Sequence, residues 1–269
     1  MRSLIALTIA AVVQLCTSAS GERKPAVQMV DAGGYKIELL KQGSGSPAVV
    51  FVSGGFAALF EQWGPVQDRI SEFTQTVVYN RGGSGGSEPA PPPRDSKHIA
   101  SELHVALRSA RVKPPYIFVG QSIGGIHVRV YAHMYPTDVA GLVLVDPTSE
   151  DYMTELGKVR PEQMPGVVGS LPEAAQREYD LMDTDFQQAR EAWPLPPVPV
   201  AVLTSMHPGT DLTRDSPMLW LALHKELVAR IPGAQHIITD KAGHAIHSEQ
   251  PALVVDAIRD VLNRIRNSK

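Results

Sequence analysis

The chain is poor in cysteine, because Cys16 is the only one among its 269 residues. Cys16 falls in the N-terminal stretch that we expect to be removed, so we expect neither disulfides nor a thiol nucleophile in the mature protein. An exported protein without disulfides needs a domain large enough to be stable on its core alone. The length of the chain and its 43% of hydrophobic residues suffice for such a domain.

The chain also lacks an excess of charge of one sign. Its 25 basic and 28 acidic residues give a formal net charge of −3. Nucleic-acid binding requires a basic face, so we expect no nucleic-acid partner. Residues 81–86 are rich in glycine, but no lysine and no G-K-[ST] sequence follows them. We therefore expect no bound nucleotide. We also expect no other cofactor and no metal ion.

The apolar run at residues 4–15 is too short to span a bilayer comfortably. Arg2 precedes it, and the small residues 17–19 follow it. This order is typical of a secretory signal peptide, which we assign to residues 1–20. We expect a secreted or periplasmic mature protein with no stable membrane span, and an uncleaved N-terminal anchor is the alternative.

Short β-rich runs alternate with helical patterns along the remainder of the chain. Strands are predicted at residues 27–30, 35–40, 48–52, 76–79, 115–119, 141–145, 198–203 and 236–239. The chain closes on an amphipathic helix with Leu253, Ala257, Val261 and Ile265 on one stripe. This alternation predicts an α/β fold, with a mainly parallel sheet flanked by helices on both faces.

Residues 148–197 interrupt this alternation. They are rich in Glu, Gln, Met and Pro and contain helical pieces but no clear strand. A connection of about 50 residues between two strands is long, so we predict a helical cap over the strand ends. Residues 21–147 and 198–269 would form the core. Several apolar residues of the cap could line a substrate pocket or fix the cap to the core: Met153, Met164, Met182, Phe186 and Trp193.

Ser122 lies between two glycines in the sequence Gly-Gln-Ser-Ile-Gly, residues 120–124. A strand is predicted before this pentapeptide and a helix after it. A serine at such a sharp turn has a strained backbone and an exposed hydroxyl, and the flanking glycines avoid collisions with the strand and the helix. Ser122 is therefore the candidate nucleophile.

A serine hydroxyl needs a base within hydrogen-bonding reach. His244 follows the last predicted strand and precedes the terminal helix, so it should lie at the same edge of the sheet as Ser122. His247 is the competitor. We expect it to cap the following helix or to face solvent.

These motifs together resemble the α/β-hydrolase fold family, and the resemblance covers nearly all of the mature sequence. The matching stretches are residues 51–55, 79–87, 120–124 and 243–244, in the order of the family. The resemblance implies an eight-stranded, mainly parallel sheet and a Ser–acid–His triad in that chain order. It points to a serine esterase or lipase with a helical cap.

The resemblance also implies two backbone N–H groups that bind the oxyanion of the reaction. One belongs to the residue after the nucleophile, here Ile123. The other belongs to the loop after the third strand, where Gly55 is the candidate by position and Phe56 is the near alternative.

Two aspartates compete for the acid position of the triad. Many family members carry the acid directly after the seventh strand, where this chain offers only the more distant Asp211 and, beyond it, Asp215. Other members carry it after the sixth strand, where Asp146 matches, about 24 residues after Ser122. We favour Asp146, although an aspartate at this site is also compatible with a structural carboxylate that caps the start of the helical insertion.

The leading hypothesis is a secreted hydrolase of small carboxylic esters that forms an acyl-enzyme on Ser122. A cofactor-independent haloperoxidase or a lyase with the same triad is the first alternative. A non-catalytic ligand-binding protein with a decayed site is the second.

Overall fold

A computed structural model describes residues 26–55, 60–159, 172–206 and 217–267. The predicted signal peptide, Phe56, Met164 and Asp211 lie outside these residues. The described residues form an eight-stranded sheet. Its strands are β1 (Gln28–Asp31), β2 (Lys36–Gln42), β3 (Ala48–Val52), β4 (Thr76–Tyr79), β5 (Tyr116–Gln121), β6 (Val139–Val145), β7 (Val200–Ser205) and β8 (Gln235–Thr239).

The spatial order of the strands is β1-β2-β4-β3-β5-β6-β7-β8. β2 is antiparallel to both β1 and β4, and all the other pairs are parallel. The predicted mainly parallel, eight-stranded sheet is therefore confirmed. The register pairs Gly120 of β5 with Val52 of β3 and with Leu144 of β6. The loops that follow these three strands consequently meet at one edge of the sheet.

Alternating side chains of the central strands feed two separate hydrophobic cores, one on each face of the sheet. Val50 and Phe118 belong to one core, whereas Val49 and Val119 belong to the other. All four are fully buried. The strands therefore appear in the sequence as continuous apolar runs, because both faces of the sheet are covered by helices.

The described residues form nine α-helices. They are α1 (Gly64–Ser71), α2 (Ser96–Ser109), α3 (Gly124–Met134), α4 (Tyr152–Val159), α5 (Glu173–Tyr179), α6 (Met182–Glu191), α7 (Pro217–Ala229), α8 (Ile246–Glu249) and α9 (Pro251–Asn267). The predicted apolar stripe of α9 packs into the same core as Val49. None of these described helices is long and apolar enough to span a bilayer.

The segment predicted as a cap contains α4, α5 and α6. Its contacts with the core include buried charges as well as apolar surfaces. Arg129 of α3 donates two hydrogen bonds, both of 2.8 Å, to the carboxylate of Glu150. Burial opposes ionisation of Glu150, but these bonds prevail and lower its pKa to about 2. Phe186 of α6 is buried against Ile123 and Ile126, so it helps to fix the cap to the core.

The turn between β5 and α3 is tightly packed against backbone. A Cβ atom on Gly120 would lie 2.5 Å from the carbonyl oxygen of Gly124. A Cβ atom on Gly124 would lie 2.5 Å from the carbonyl oxygen of Val52 and 2.8 Å from that of Ser53. Both glycines of the pentapeptide are thus required by close approach, as the sequence suggested.

We expect Gly124→Ala to lower the free energy of unfolding by roughly 1–3 kcal/mol, because the new methyl group can only be accommodated by moving backbone. Gly64→Ala is the matched control, since nothing lies within 4 Å of a Cβ atom at that position. Urea denaturation of both variants would test this. Equal stability of the two variants would contradict the close approach at the turn.

Asp185 of α6 accepts a 2.6 Å hydrogen bond from the backbone N–H of Ser96. Burial, together with the neighbouring charges of Asp95 and Glu178, raises the pKa of Asp185 from 3.8 to about 7. The folded state therefore binds more protons than the unfolded state between about pH 4 and pH 7. Its stability falls as the pH rises through this window.

We expect Asp185→Asn to keep the acceptor for Ser96 while removing the buried charge. The variant should be more stable than the wild type by about 2–4 kcal/mol at pH 8 and nearly equal to it at pH 4. Asp183→Asn, the same change at an exposed position of α6, is the control. Denaturation curves at both pH values measure the effect, and a pH-independent difference would be inconsistent with this explanation.

Candidate active site

Ser122 occupies the turn between β5 and α3 with a φ of +54°, in the left-handed region that residues other than glycine seldom adopt. Its N–H donates to the carbonyl of Val145 at 3.2 Å. Its carbonyl accepts from the N–H groups of Gly125 at 2.9 Å and Thr148 at 3.0 Å. These bonds hold the strained conformation in place. The side chain is half-buried, with Oγ 3.4 Å from Oγ1 of Thr148.

Asp146 directly follows β6 and is completely buried. Its Oδ2 lies 2.7 Å from Nδ1 of His244. Its Oδ1 accepts from the backbone N–H of Ser205 at 2.8 Å and from Nε1–H of Trp220 at 2.9 Å. An ionised carboxylate has only acceptors and is well matched to three donors. The carboxylate therefore accepts hydrogen bonds from donors in three different parts of the chain.

The bond between Asp146 and His244 determines the protonation of the ring. A carboxylate can only accept, so Nδ1 of His244 carries the hydrogen. In a neutral imidazole the acceptor is then Nε2, which is the form that a general base requires. The side-chain amide of Gln121 also donates to the carbonyl of His244 at 3.3 Å, which ties the residue before Ser122 to the histidine loop.

The two predicted oxyanion-binding residues are close neighbours. A Cβ atom on Gly55 would lie 3.5 Å from Cγ2 of Ile123, and one on Gly54 would lie 3.1 Å from Cβ of Ser122. The loop after β3 therefore lies against the turn that carries the serine. The indole N–H of Trp63 anchors this loop by donating to Oγ of Ser53 at 3.1 Å. Phe56, the alternative donor, is outside the described residues.

Asp211, the alternative acid, also lies outside the described residues. The sequence prediction that favours Asp146 is compatible with the hydrogen bond of 2.7 Å to His244. The choice between the two aspartates remains a prediction, which a pair of variants can decide.

Sequence reasoning missed the support that α7 gives to Asp146. Trp220 donates to the carboxylate, and His224, four residues later on the same face of the helix, lies 2.7 Å from the carbonyl oxygen of Pro147 through Nε2. Burial lowers the pKa of His224 to about 4, so the ring is neutral at neutral pH. The carbonyl requires a hydrogen on Nε2, so Nδ1 accepts from the hydroxyl of Thr204, 2.7 Å away.

The expectation for His247 was wrong. Its side chain neither caps the following helix nor faces solvent, because it is buried with Nε2 2.8 Å from Oε1 of Gln62. Its ring centroid lies 4.5 Å from that of Trp63. Burial, with a smaller contribution from His244, lowers the pKa of His247 to about 4. The residue therefore packs as a neutral aromatic ring against Trp63.

No group of three or more His, Cys, Asp or Glu side chains suited to a metal ion occurs in the described parts of the chain. The carboxylate of Asp146 is instead committed to hydrogen bonds with Ser205, Trp220 and His244. The arrangement offers a strained serine, an imidazole with its acceptor on Nε2, and a buried carboxylate. Such a set is suited to nucleophilic chemistry at an electrophilic carbon.

Comparison with known proteins gives relatives in sequence and neighbours in fold. The chain is 26% identical over 227 residues to the uncharacterized protein YqjL of Bacillus subtilis, covering 82% of this chain and 85% of YqjL. Its fold is similar to that of the carboxylesterase CesB of Bacillus subtilis, with a TM-score of 0.62, 18% identity and coverage of 90% and 92%. A thermophilic esterase from Thermogutta terrifontis gives a TM-score of 0.62, 19% identity and coverage of 90% and 99%.

The two structural similarities have low sequence identity and concern the fold alone. The sequence model of the alpha/beta hydrolase fold family matches residues 47–196, which is more than half of the chain. This match includes the serine turn, β6 and most of the helical insertion. Together with the observed strand order, it confirms the resemblance inferred from the sequence, and the chain belongs to the alpha/beta hydrolase fold family.

Proposed function

We propose that this protein hydrolyses carboxylic esters through an acyl-enzyme on Ser122. In this mechanism Oγ of Ser122 attacks the ester carbonyl while Nε2 of His244 takes its proton. Asp146 orients the ring and stabilises the imidazolium without itself being protonated. The imidazolium then gives its proton to the leaving alcohol. A water molecule, activated by the same histidine, releases the acid and restores Ser122.

The observation that carries this proposal is the 2.7 Å hydrogen bond between Oδ2 of Asp146 and Nδ1 of His244. It selects the tautomer that can accept a proton. The serine has a strained backbone conformation, with a φ of +54°, and its neighbour Gln121 donates a hydrogen bond of 3.3 Å to the carbonyl of His244. Strain of this kind is found where the surrounding structure requires a residue in one exact orientation.

The proximity of Gly55 and Ile123 supports their proposed role as oxyanion donors. Their backbone N–H groups belong to two loops that meet beside Ser122. Loss of one such donor typically costs about 3–4 kcal/mol of transition-state stabilisation. A carboxylic ester is favoured as the substrate because two of the fold neighbours are named as esterases.

Export is a separate proposal that rests on residues 1–20 alone. A charged start, a short apolar run and small residues near Ala19 support cleavage and release of the mature domain. Ester hydrolysis outside the cytoplasm would then act on small molecules that reach the protein by diffusion. The proposed partner is the ester substrate, with no nucleic acid.

Replacement of each candidate acid tests the assignment of the triad. We expect Asp146→Asn to lower kcat for a nitrophenyl ester by about ten-thousandfold. The single oxygen of the new amide would accept the hydrogen bonds from Ser205 and Trp220, as Oδ1 of Asp146 does. The amide nitrogen would therefore face His244. Nδ1 would then have to accept, and the hydrogen would move to Nε2, where it blocks proton transfer.

Asp211→Asn is the matched control, and we expect it to retain kcat within about threefold of the wild type. Ser122→Ala should lose the activity by several orders of magnitude. Loss of activity in Asp211→Asn with near-normal rates in Asp146→Asn would reverse the assignment of the acid. Full activity of Ser122→Ala would contradict the proposed reaction.

A further inference from the structure

Arg81 lies in the glycine-rich loop after β4 and is almost completely buried. Its guanidinium contacts the backbone of the predicted oxyanion loop. Nη1 donates to the carbonyl of Ser53 at 2.9 Å, and Nη2 donates to the carbonyl of Gly54 at 2.8 Å. Two consecutive carbonyl groups of this loop are thus held by one rigid, planar side chain.

The orientation of a carbonyl group determines that of the next N–H group. A trans peptide is planar, so the N–H of Gly55 points away from the carbonyl of Gly54. Because that carbonyl is directed at Arg81, the N–H of Gly55 is directed away from Arg81. The same reasoning couples the carbonyl of Ser53 to the N–H of Gly54. Arg81 therefore restrains the direction of the proposed oxyanion donor without touching the substrate.

The opposite side of the guanidinium is held by the cap. Glu178 of α5 accepts from Nε of Arg81 at 2.9 Å and from Nη2 at 2.8 Å. Both side chains of this ion pair are at least nine-tenths buried. Burial alone would lower the pKa of Arg81, but the carboxylate of Glu178 prevails and raises it. This two-point geometry specifies orientation as well as charge.

On the basis of the proposed function, we propose that Arg81 is a positioning residue. Through Glu178, it couples the packing of cap helix α5 against the core to the geometry of the oxyanion hole. When α5 is packed against the core, the carboxylate of Glu178 accepts hydrogen bonds from the guanidinium of Arg81. The guanidinium in turn donates to the carbonyls of Ser53 and Gly54. Displacement of α5 would leave Arg81 as a buried charge without its partner, so the loop would lose its restraint. The cap thereby acts on the rate of the chemical step.

Two single substitutions test this coupling through the rate of labelling of Ser122 by a fluorophosphonate. Phosphonylation develops negative charge on an oxygen in the same oxyanion hole, so its rate reports the geometry of that site. We expect Glu178→Gln and Arg81→Lys each to lower the second-order labelling rate by about tenfold. For a nitrophenyl ester, kcat should fall in parallel while KM changes by less than about threefold.

Glu191→Gln is the matched control. Glu191 of α6 makes another cap–core ion pair, with Lys97 of α2 at 3.0 Å, but this pair is exposed. The chemical change is the same as in Glu178→Gln. We expect the labelling rate of this control to remain within about twofold of the wild type.

A double variant separates positioning from stability. In Arg81→Met with Glu178→Met, two long apolar side chains replace the buried ion pair, which is often tolerated without loss of stability. We expect its Tm to exceed that of Glu178→Gln, while its labelling rate is about a hundredfold below the wild type. A double variant that recovers both Tm and labelling rate would show that Arg81 serves stability alone and would overturn the inference.

The outcomes also distinguish this inference from the proposed function. If the wild type is labelled on Ser122 and folded Glu178→Gln is labelled at the same rate, the coupling is wrong and the hydrolase proposal stands. If the wild type is not labelled, whereas an established serine esterase is labelled in parallel, the proposed function fails and the inference fails with it.

Discussion

The buried carboxylate of Asp146 is the point at which the candidate active site is held together. It receives hydrogen bonds from β7 through Ser205, from α7 through Trp220, and from the loop after β8 through His244. A carboxylate without exposure to water is very costly unless it is fully hydrogen bonded, so these three donors are constrained to remain where they are. The orientation of His244 therefore depends on the packing of several elements rather than on its own loop.

The helical insertion is attached to the core by buried ion pairs in addition to apolar packing. Arg129 and Glu150 form one pair, and Arg81 and Glu178 form another. Removal of one partner from such a pair typically lowers stability by about 3–5 kcal/mol. Separation of the cap from the core would therefore be strongly unfavourable. The second pair also contacts the loop beside Ser122. Stability and the proposed catalytic geometry thus share the same side chains.

The sequence predicted the strands and the serine turn well because both depend on local patterns. Apolar runs covered on both faces identify β3, β5 and β6, and two glycines with backbone neighbours identify the turn at Ser122. Asp146 and His244 were named from their places after strands, and their side chains are hydrogen bonded.

Contacts between distant parts of the chain that no motif marks could not be predicted in this way. Trp220 is 74 positions from Asp146, and Glu178 is 97 positions from Arg81. No pattern in a single sequence pairs such residues. His247 was misjudged for the same reason, because its burial comes from Gln62 and Trp63, far away in the chain.

The tautomer of His244 is the most direct test of the central claim, and nitrogen-15 NMR of the histidine rings can determine it. The account predicts a hydrogen on Nδ1 and none on Nε2 in the neutral ring, and a neutral ring protonated on Nε2 would contradict it.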